Sequence, residues 1–386
     1  MESSTMPGIY LHIPFCKQAC YYCNFHFSTS LRQKGAMVEA IVRELEVQKD
    51  YLQGVPLSSI YFGGGTPSLL DANELEQIFS KIYQLHSVQA DAEITLEANP
   101  DDLSLEKLQA LRNSPVNRLS IGIQSFAEED LRFMNRAHNA QEARACIENA
   151  LVTGFENLTL DLIYGAPTTS HEQWARNLDT IFQYPIPHLS AYCLTVEAKT
   201  ALDHFVRQGK AAPVDEEHAN AQFLYLMEAT QAQGYEHYEI SNFAKPGRYA
   251  RHNSSYWLGE PYLGIGPSAH SFNGQSRQWN VANNAKYLKI LTEDDITKLS
   301  DTGLFELEEL SPATRYNEYV MTGLRTIWGC DLQKIAPDFQ TYFLENIQPF
   351  MAKGQVLVQN HQYRLSNSGK FMADYIAAQL FFIENN

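Results

Sequence analysis

Cys16, Cys20 and Cys23, separated by three residues and then two, directly follow the apolar run Gly8-Ile9-Tyr10-Leu11-His12-Ile13-Pro14. Thiolates packed this closely suit a soft metal ion or an iron–sulfur cluster. The chain continues Asn24-Phe25, with no fourth cysteine nearby. A [4Fe-4S] cubane held by three thiolates keeps one iron open to an outside ligand, and chemistry would happen there. The competing reading is structural zinc, which takes four protein ligands, and His26 can complete a Cys3His set.

Other polar groups stand at the ends of apolar runs. Gly63-Gly64-Gly65-Thr66-Pro67 follows one of them. Glycines there let the backbone approach a ligand and present its N–H groups, although no Lys-Ser/Thr follows to make a P-loop. Glu97, Gln124 and Asp161 lie in or at the end of further runs, and Arg136 stands in Met134-Asn135-Arg136-Ala137-His138. A carboxylate suits a ribose diol or an ammonium group, and an arginine suits a carboxylate; each also suits an ordinary salt bridge or cap. A third group is His252-Asn253-Ser254-Ser255-Tyr256-Trp257, with Tyr262 and His270 beyond it. Histidine is the usual ligand of heme iron, and aromatic rings can pack on a porphyrin. Arg248 and Arg251 can pair with propionates. On these residues alone, a core histidine in a buried aromatic cluster is the preferred reading.

The elements that must carry these groups alternate. Apolar runs at 9–13, 59–62, 93–97, 118–124, 158–164 and 188–196 predict strands. Helical periodicity fills the intervals, at 105–111, 140–151 and 173–182 among others, and Asp71 with Glu74 forms a capping box. Six βα units in series imply an α/β fold with a parallel sheet, whose active groups gather at the C-terminal ends of the strands. Beyond residue 200 the alternation stops. A helix is expected at 219–233, and the acidic stretch 292–310 reads as a connection between domains. From 313 onward, helices with short strands at 355–358 and 362–365 suggest a small α+β module of winged-helix type. Its last helix is expected to be capped by Ser366 and to end near 382. The expected domains are 1–240, 241–300 and 301–386.

Bulk properties exclude several classes. A net charge of −16, from 45 acidic against 29 basic residues, argues against a nucleic-acid partner. No apolar run approaches the ~20 residues that span a bilayer, so an integral membrane protein is not expected. The start of the chain lacks the basic and apolar regions of a secretory signal. Cys146, Cys193 and Cys330 are scattered among apolar neighbours and read as buried small hydrophobes. A reducing cytoplasm fits this cysteine usage.

The CxxxCxxC triplet resembles the signature of the radical S-adenosylmethionine (SAM) superfamily, in which the amino and carboxylate groups of SAM chelate the open iron. From Tyr10 to the final helix the chain resembles the oxygen-independent coproporphyrinogen III oxidases and their relatives. That resemblance implies a partial (β/α)6 TIM-like radical SAM barrel. It implies a [4Fe-4S] cluster on Cys16, Cys20 and Cys23, and SAM contacts at Tyr10, Tyr22, Gly64, Gly65, Thr66, Glu97, Gln124, Arg136 and Asp161. The chain departs from the oxidase pattern at Phe25, where a further cysteine is expected, and in reaching Cys16 almost at once. The HNxxYW segment, followed by Gly264-Ile265-Gly266-Pro267-Ser268-Ala269-His270, is similar to the HemW-type heme chaperones. That branch implies binding heme and passing it to acceptor proteins such as respiratory enzymes, with His252 as axial ligand and His270 as its competitor. It is compatible with a homodimer. Radical decarboxylation of coproporphyrinogen propionates is the alternative function, which leaves open whether the chain is an enzyme; a zinc-bound interaction protein is the remote one.

Overall fold

The computed structural model describes residues 6–292 and 302–383. Strands β1 (Gly8–Ile13), β2 (Leu57–Gly64), β3 (Val88–Ala98), β4 (Arg118–Gln124), β5 (Leu158–Tyr164) and β6 (His188–Cys193) stand side by side in chain order, every pair parallel. Helices cover this sheet, so its strands are apolar on both faces; in β2 every residue but the last is buried. The expected partial (β/α)6 arrangement is therefore present. Helix Ala72–Leu85 shows how local signals set it. Asp71 Oδ1 accepts the Glu74 N–H at 2.9 Å and Glu74 Oε2 accepts the Asp71 N–H at 2.8 Å, while Leu75, Ile78, Phe79 and Ile82 face the core.

The sheet extends past both ends of this parallel set. The hairpin β7 (Glu236–Glu239) and β8 (Asn242–Ala244) adds to β6 antiparallel. At the other edge β9 (Tyr262–Ile265) runs parallel to β1, and β10 (His270–Phe272), β11 (Ser276–Asn280) and β12 (Phe305–Glu309) continue antiparallel. The described residues thus form one open 12-stranded sheet, ordered β12-β11-β10-β9-β1-β2-β3-β4-β5-β6-β8-β7. The segment expected as 241–300 contributes its strands to this same sheet. The 292–310 connection is corrected where it can be seen: residues 305–309 are a strand, and 293–301 lie outside the described residues. Its glutamates concealed the strand because it is an edge strand facing solvent, where charge is tolerated and blunts further pairing.

A second hydrophobic core runs from Ala313 to Leu380. It joins helices Pro312–Leu324 and Pro337–Ala352 to the antiparallel strands β13 (Cys330–Asp331), β14 (Val356–Gln359) and β15 (Gln362–Leu365), in the order β13-β15-β14. The single last helix is corrected to two short ones, Asn367–Lys370 and Ala373–Gln379; Ser366 Oγ caps the first at the Gly369 N–H. This C-terminal module docks on the barrel through Ile240 N–H to Arg325 O (3.1 Å) and Ile327 N–H to Tyr238 O (3.0 Å). An Arg277–Glu318 ion pair at 2.8 Å joins them as well. No helix among the described residues is long and apolar enough to cross a membrane.

Candidate functional site

The loop after β1 is held at its neck and along its length. Cys16 N–H bonds Ser28 O at 3.0 Å and Ser28 N–H bonds Pro14 O at 2.9 Å. Tyr21 N–H reaches Met134 O (3.1 Å), and Asn135 Nδ2 donates to Ala19 O (2.7 Å). The glycine run closes on it from β2: Gly65 N–H bonds Ile13 O (2.9 Å) and Thr66 N–H bonds Phe15 O (2.7 Å). A Cβ on Gly65 would lie 2.6 Å from Phe15 O, and Gly64 holds a φ of 98°. Both glycines are required by close backbone approach and a left-handed turn, whatever else they contact.

At the C-terminal strand ends this loop walls a cavity of about 430 Å³. Cys16, Cys20 and Cys23 line it together with Tyr22, Gly64, Gly65, Thr66, Glu97, Gln124, Arg136 and Asp161. Tyr10 does not; it lines a neighbouring cavity and stacks on Tyr61 with ring centroids 6.1 Å apart. Gln124 stands at a register irregularity between β4 and β5 with a φ of 64°. That is an uncommon backbone state for a residue with a side chain.

The cavity's charges are unevenly matched. Arg136 Nη1 donates to Cys20 Sγ at 3.3 Å and Nη2 to Asn99 Oδ1 at 2.5 Å, while its Nε is buried without a partner. Glu97 Oε1 accepts from Tyr61 OH at 2.7 Å, yet burial, with Asp161 nearby, pushes its carboxyl up to about 7. Desolvation disfavours the charged form of a carboxyl. Burial likewise lifts Asp161 to about 6 against the Ser120 hydroxyl, 3.1 Å away. Two desolvated carboxyls and a spare guanidinium N–H suit a ligand that carries a cation and a carboxylate. The three thiols suit a cubane, in which each thiolate takes its own iron. Among the described residues no three His, Cys, Asp or Glu side chains converge as a single metal ion needs. His26, the proposed fourth zinc ligand, instead lines the neighbouring cavity with Nε2 donating to Asn284 Oδ1 at 2.7 Å.

Helix Arg251–Trp257 lies between the two cavities. Asn253 lines the first; Tyr256 and Trp257 line the second. His252 lines neither. It is fully buried, with Nδ1 2.8 Å from Ser59 Oγ, Nε2 2.7 Å from Tyr256 OH, and its ring stacked 5.0 Å from Tyr61. Both ring nitrogens are engaged, which corrects the expectation of a histidine ready to meet iron. Arg251 pairs with Asp91 at 2.9 Å, and neither it nor Arg248 lines either cavity.

The second cavity, about 750 Å³, is walled by Phe25, Tyr256, Trp257, Tyr262 and Phe272, with His12, His26, His270, Arg277 and Arg315 around it. Burial holds the His12 imidazole down to about 4, and its Nε2 donates to His26 O at 2.8 Å. Burial, and then Arg277, also lowers His270. Sequence reasoning missed Arg277 and Arg315 here, and Asn99 and Tyr61 in the first cavity; none belongs to a motif. Cys193 is corrected as well. It is exposed and lines the same cavity as the cysteine triplet, because β6 emerges from the core at its last residues.

A family model described as the radical SAM superfamily matches residues 10–181. The "Heme chaperone HemW" of Mycobacterium tuberculosis is 32% identical over 377 residues, covering 97% of this chain and 94% of that protein. The protein of the same name from Lactococcus lactis is 33% identical over 364 residues, covering 94% and 93%. Among solved structures, coproporphyrinogen III oxidase (HemN) from Escherichia coli, described as a radical SAM enzyme, superposes with a TM-score of 0.83 at 22% identity. It covers 98% of this chain and 90% of its own, a likeness of fold.

Proposed function

The chain belongs to the HemW family within the radical SAM superfamily, and we propose that it is a heme chaperone, binding heme and passing it to acceptor proteins. The observation that carries this reading is the pair of adjoining cavities, one thiol-lined and one aromatic, which share Asn24 and Phe25 as their common wall. Cys16, Cys20 and Cys23 would hold a [4Fe-4S] cluster in the first, with SAM on its open iron. Arg136 would meet the SAM carboxylate; Glu97 and Asp161 would face its cationic and ribose groups, with Tyr22, Gly64, Gly65, Thr66 and Gln124 shaping the seat. When bound, the cluster supplies one-electron chemistry. Tyr10, at the edge of the second cavity, would act on heme rather than on SAM.

Heme fits the second cavity in volume and lining: apolar rings for the macrocycle faces, arginines for the propionates and histidines within reach of iron. His252 would set the Tyr10–Tyr61–Tyr256 wall instead of ligating iron. Respiratory heme proteins in the cytoplasm's reach are the acceptors we favour. Free thiols at all six cysteines suit that reducing compartment. Anaerobic reconstitution with iron and sulfide, then heme titration followed by absorbance, tests the reading, with coproporphyrinogen III turnover assayed on the same sample. Stoichiometric heme uptake without decarboxylation is expected. Decarboxylation with SAM cleavage would overturn it in favour of the oxidase.

A further inference from the structure

Resting on the reading that this chain takes heme, the second cavity offers three histidines, of which, among the described residues, His12 has both ring nitrogens engaged, His26 one and His270 neither. His12 Nε2 donates to His26 O at 2.8 Å while its Nδ1 faces Tyr10 OH at 3.3 Å. His26 spends Nε2 on Asn284 at 2.7 Å. His270 opens β10, is exposed to the cavity, and has no hydrogen bond from either ring nitrogen among the described residues. Its cross-strand neighbour on β11 is Trp279, the rings roughly parallel with centroids 6.2 Å apart. Such a cross-strand pair fixes the imidazole plane. Two residues on, and so on the same face of the strand, Phe272 lines the same cavity. It pairs across the strands with Arg277, whose guanidinium lies 5.7 Å from its ring centroid.

Arg277 gives Nη1 to Glu318, but its Nε is buried and unpartnered. Arg315, one turn before Glu318 on the C-terminal module's first helix, is exposed at the cavity and pairs with no carboxylate among the described residues. We propose that His270 is the axial ligand of a heme in this cavity and that Arg277 and Arg315 hold its propionates, so that the C-terminal module completes the site. The β10–β11 hairpin then supplies the iron ligand and one anchor from the barrel, and the docked module supplies the other.

The test is titration of the cluster-loaded protein with ferric hemin, read by the Soret band and by affinity. His270→Ala should shift the band away from that of histidine-ligated heme and weaken binding at least about tenfold, and added imidazole should restore the band. Arg277→Gln with Arg315→Gln should weaken binding roughly tenfold or more while leaving the band in place. Iron and sulfide content of each variant reports whether the barrel is still folded. Wild-type heme uptake with an unchanged spectrum in His270→Ala would overturn the ligand assignment alone, as would loss of the band in His26→Ala with His270→Ala normal. No heme uptake by the wild type would overturn both the assignment and the chaperone reading.

Discussion

The two cavities touch, yet they are built in opposite ways. The first draws most of its chemistry from the ends of β1 to β6 and the loops after them, so most of its polar groups lie in or after an apolar run in the sequence. The second is assembled from Tyr10 and His12 of β1, the loop at 24–26, the helix Arg251–Trp257, Tyr262 of β9, the β10–β11 hairpin and a helix of the C-terminal module. One is a strand-end site of the kind parallel sheets repeat; the other exists only once distant segments meet. The first is polar and short of counter-charges; the second is aromatic with cations at its rim. A shared wall at Asn24 and Phe25 lets two chemistries sit side by side without sharing ligands.

The largest effect should separate them outright. Cys16→Ser, Cys20→Ser or Cys23→Ser is expected to abolish the cluster while hemin affinity stays within severalfold of the wild type. Iron analysis and hemin titration on the same samples check this. Loss of both together would mean that the cavities are one site. Gly65→Ala should come next. Its Cβ would press on two backbone carbonyls, Phe15 O at 2.6 Å and Ile13 O at 2.7 Å, neither of which can swing away. A cost of about 1–3 kcal/mol is expected, with cluster retention falling more than heme binding; denaturant midpoints and iron content measure the two.

A smaller effect tests the unmatched charges of the first cavity. Glu97 near 7 and Asp161 near 6 are both raised by burial. In the ligand-free protein their contribution to stability is present at low pH and is lost as pH rises through those values, because the unfolded carboxyls ionise first. A cationic ligand favours the ionised pair, so its binding should expel protons and tighten over the same window. SAM affinity is expected to rise by up to about tenfold in all between pH 6 and 7, and Glu97→Gln should flatten the upper part of that rise. A pH-independent affinity in the wild type would remove Glu97 and Asp161 from the ligand's cationic face.

The same contrast explains what the sequence could reveal. β4 and β5 and the capping box at Asp71 follow directly from apolar periodicity and local hydrogen bonding. Glu97, Gln124 and Asp161 in the first cavity were legible because each sits in or at the end of its strand. Arg277 and Arg315 were not, since 38 positions and a domain junction separate them and the docking of the C-terminal module, with its Arg277–Glu318 pair, brings them together. His252 misled for a related reason: an aromatic-rich motif announces a buried cluster, but not which member faces the ligand. Its ring is held by Ser59 from β2, a contact across 193 positions that no local pattern records. The edge strand β12 was hidden because its solvent-facing glutamates carry no core pattern.

The smallest effect concerns Cys193, the thiol that the fold carries into the first cavity. It stands on the opposite side of the sheet order from the cysteine loop: β6 is separated from β1 by four strands, whereas Cys16, Cys20 and Cys23 share one short loop. Its Sγ packs against the position of Gly165 and lies 3.7 Å from Leu194 O, within β6's own turn. A ligand to the same cubane would have to leave that turn, and it would also close the iron that SAM requires. Cys193→Ser should therefore leave iron content, absorbance and SAM affinity within error of the wild type. Loss of one iron per cluster in that variant would instead make Cys193 a fourth ligand, and the first cavity would hold a closed, electron-transfer cluster with no place for SAM.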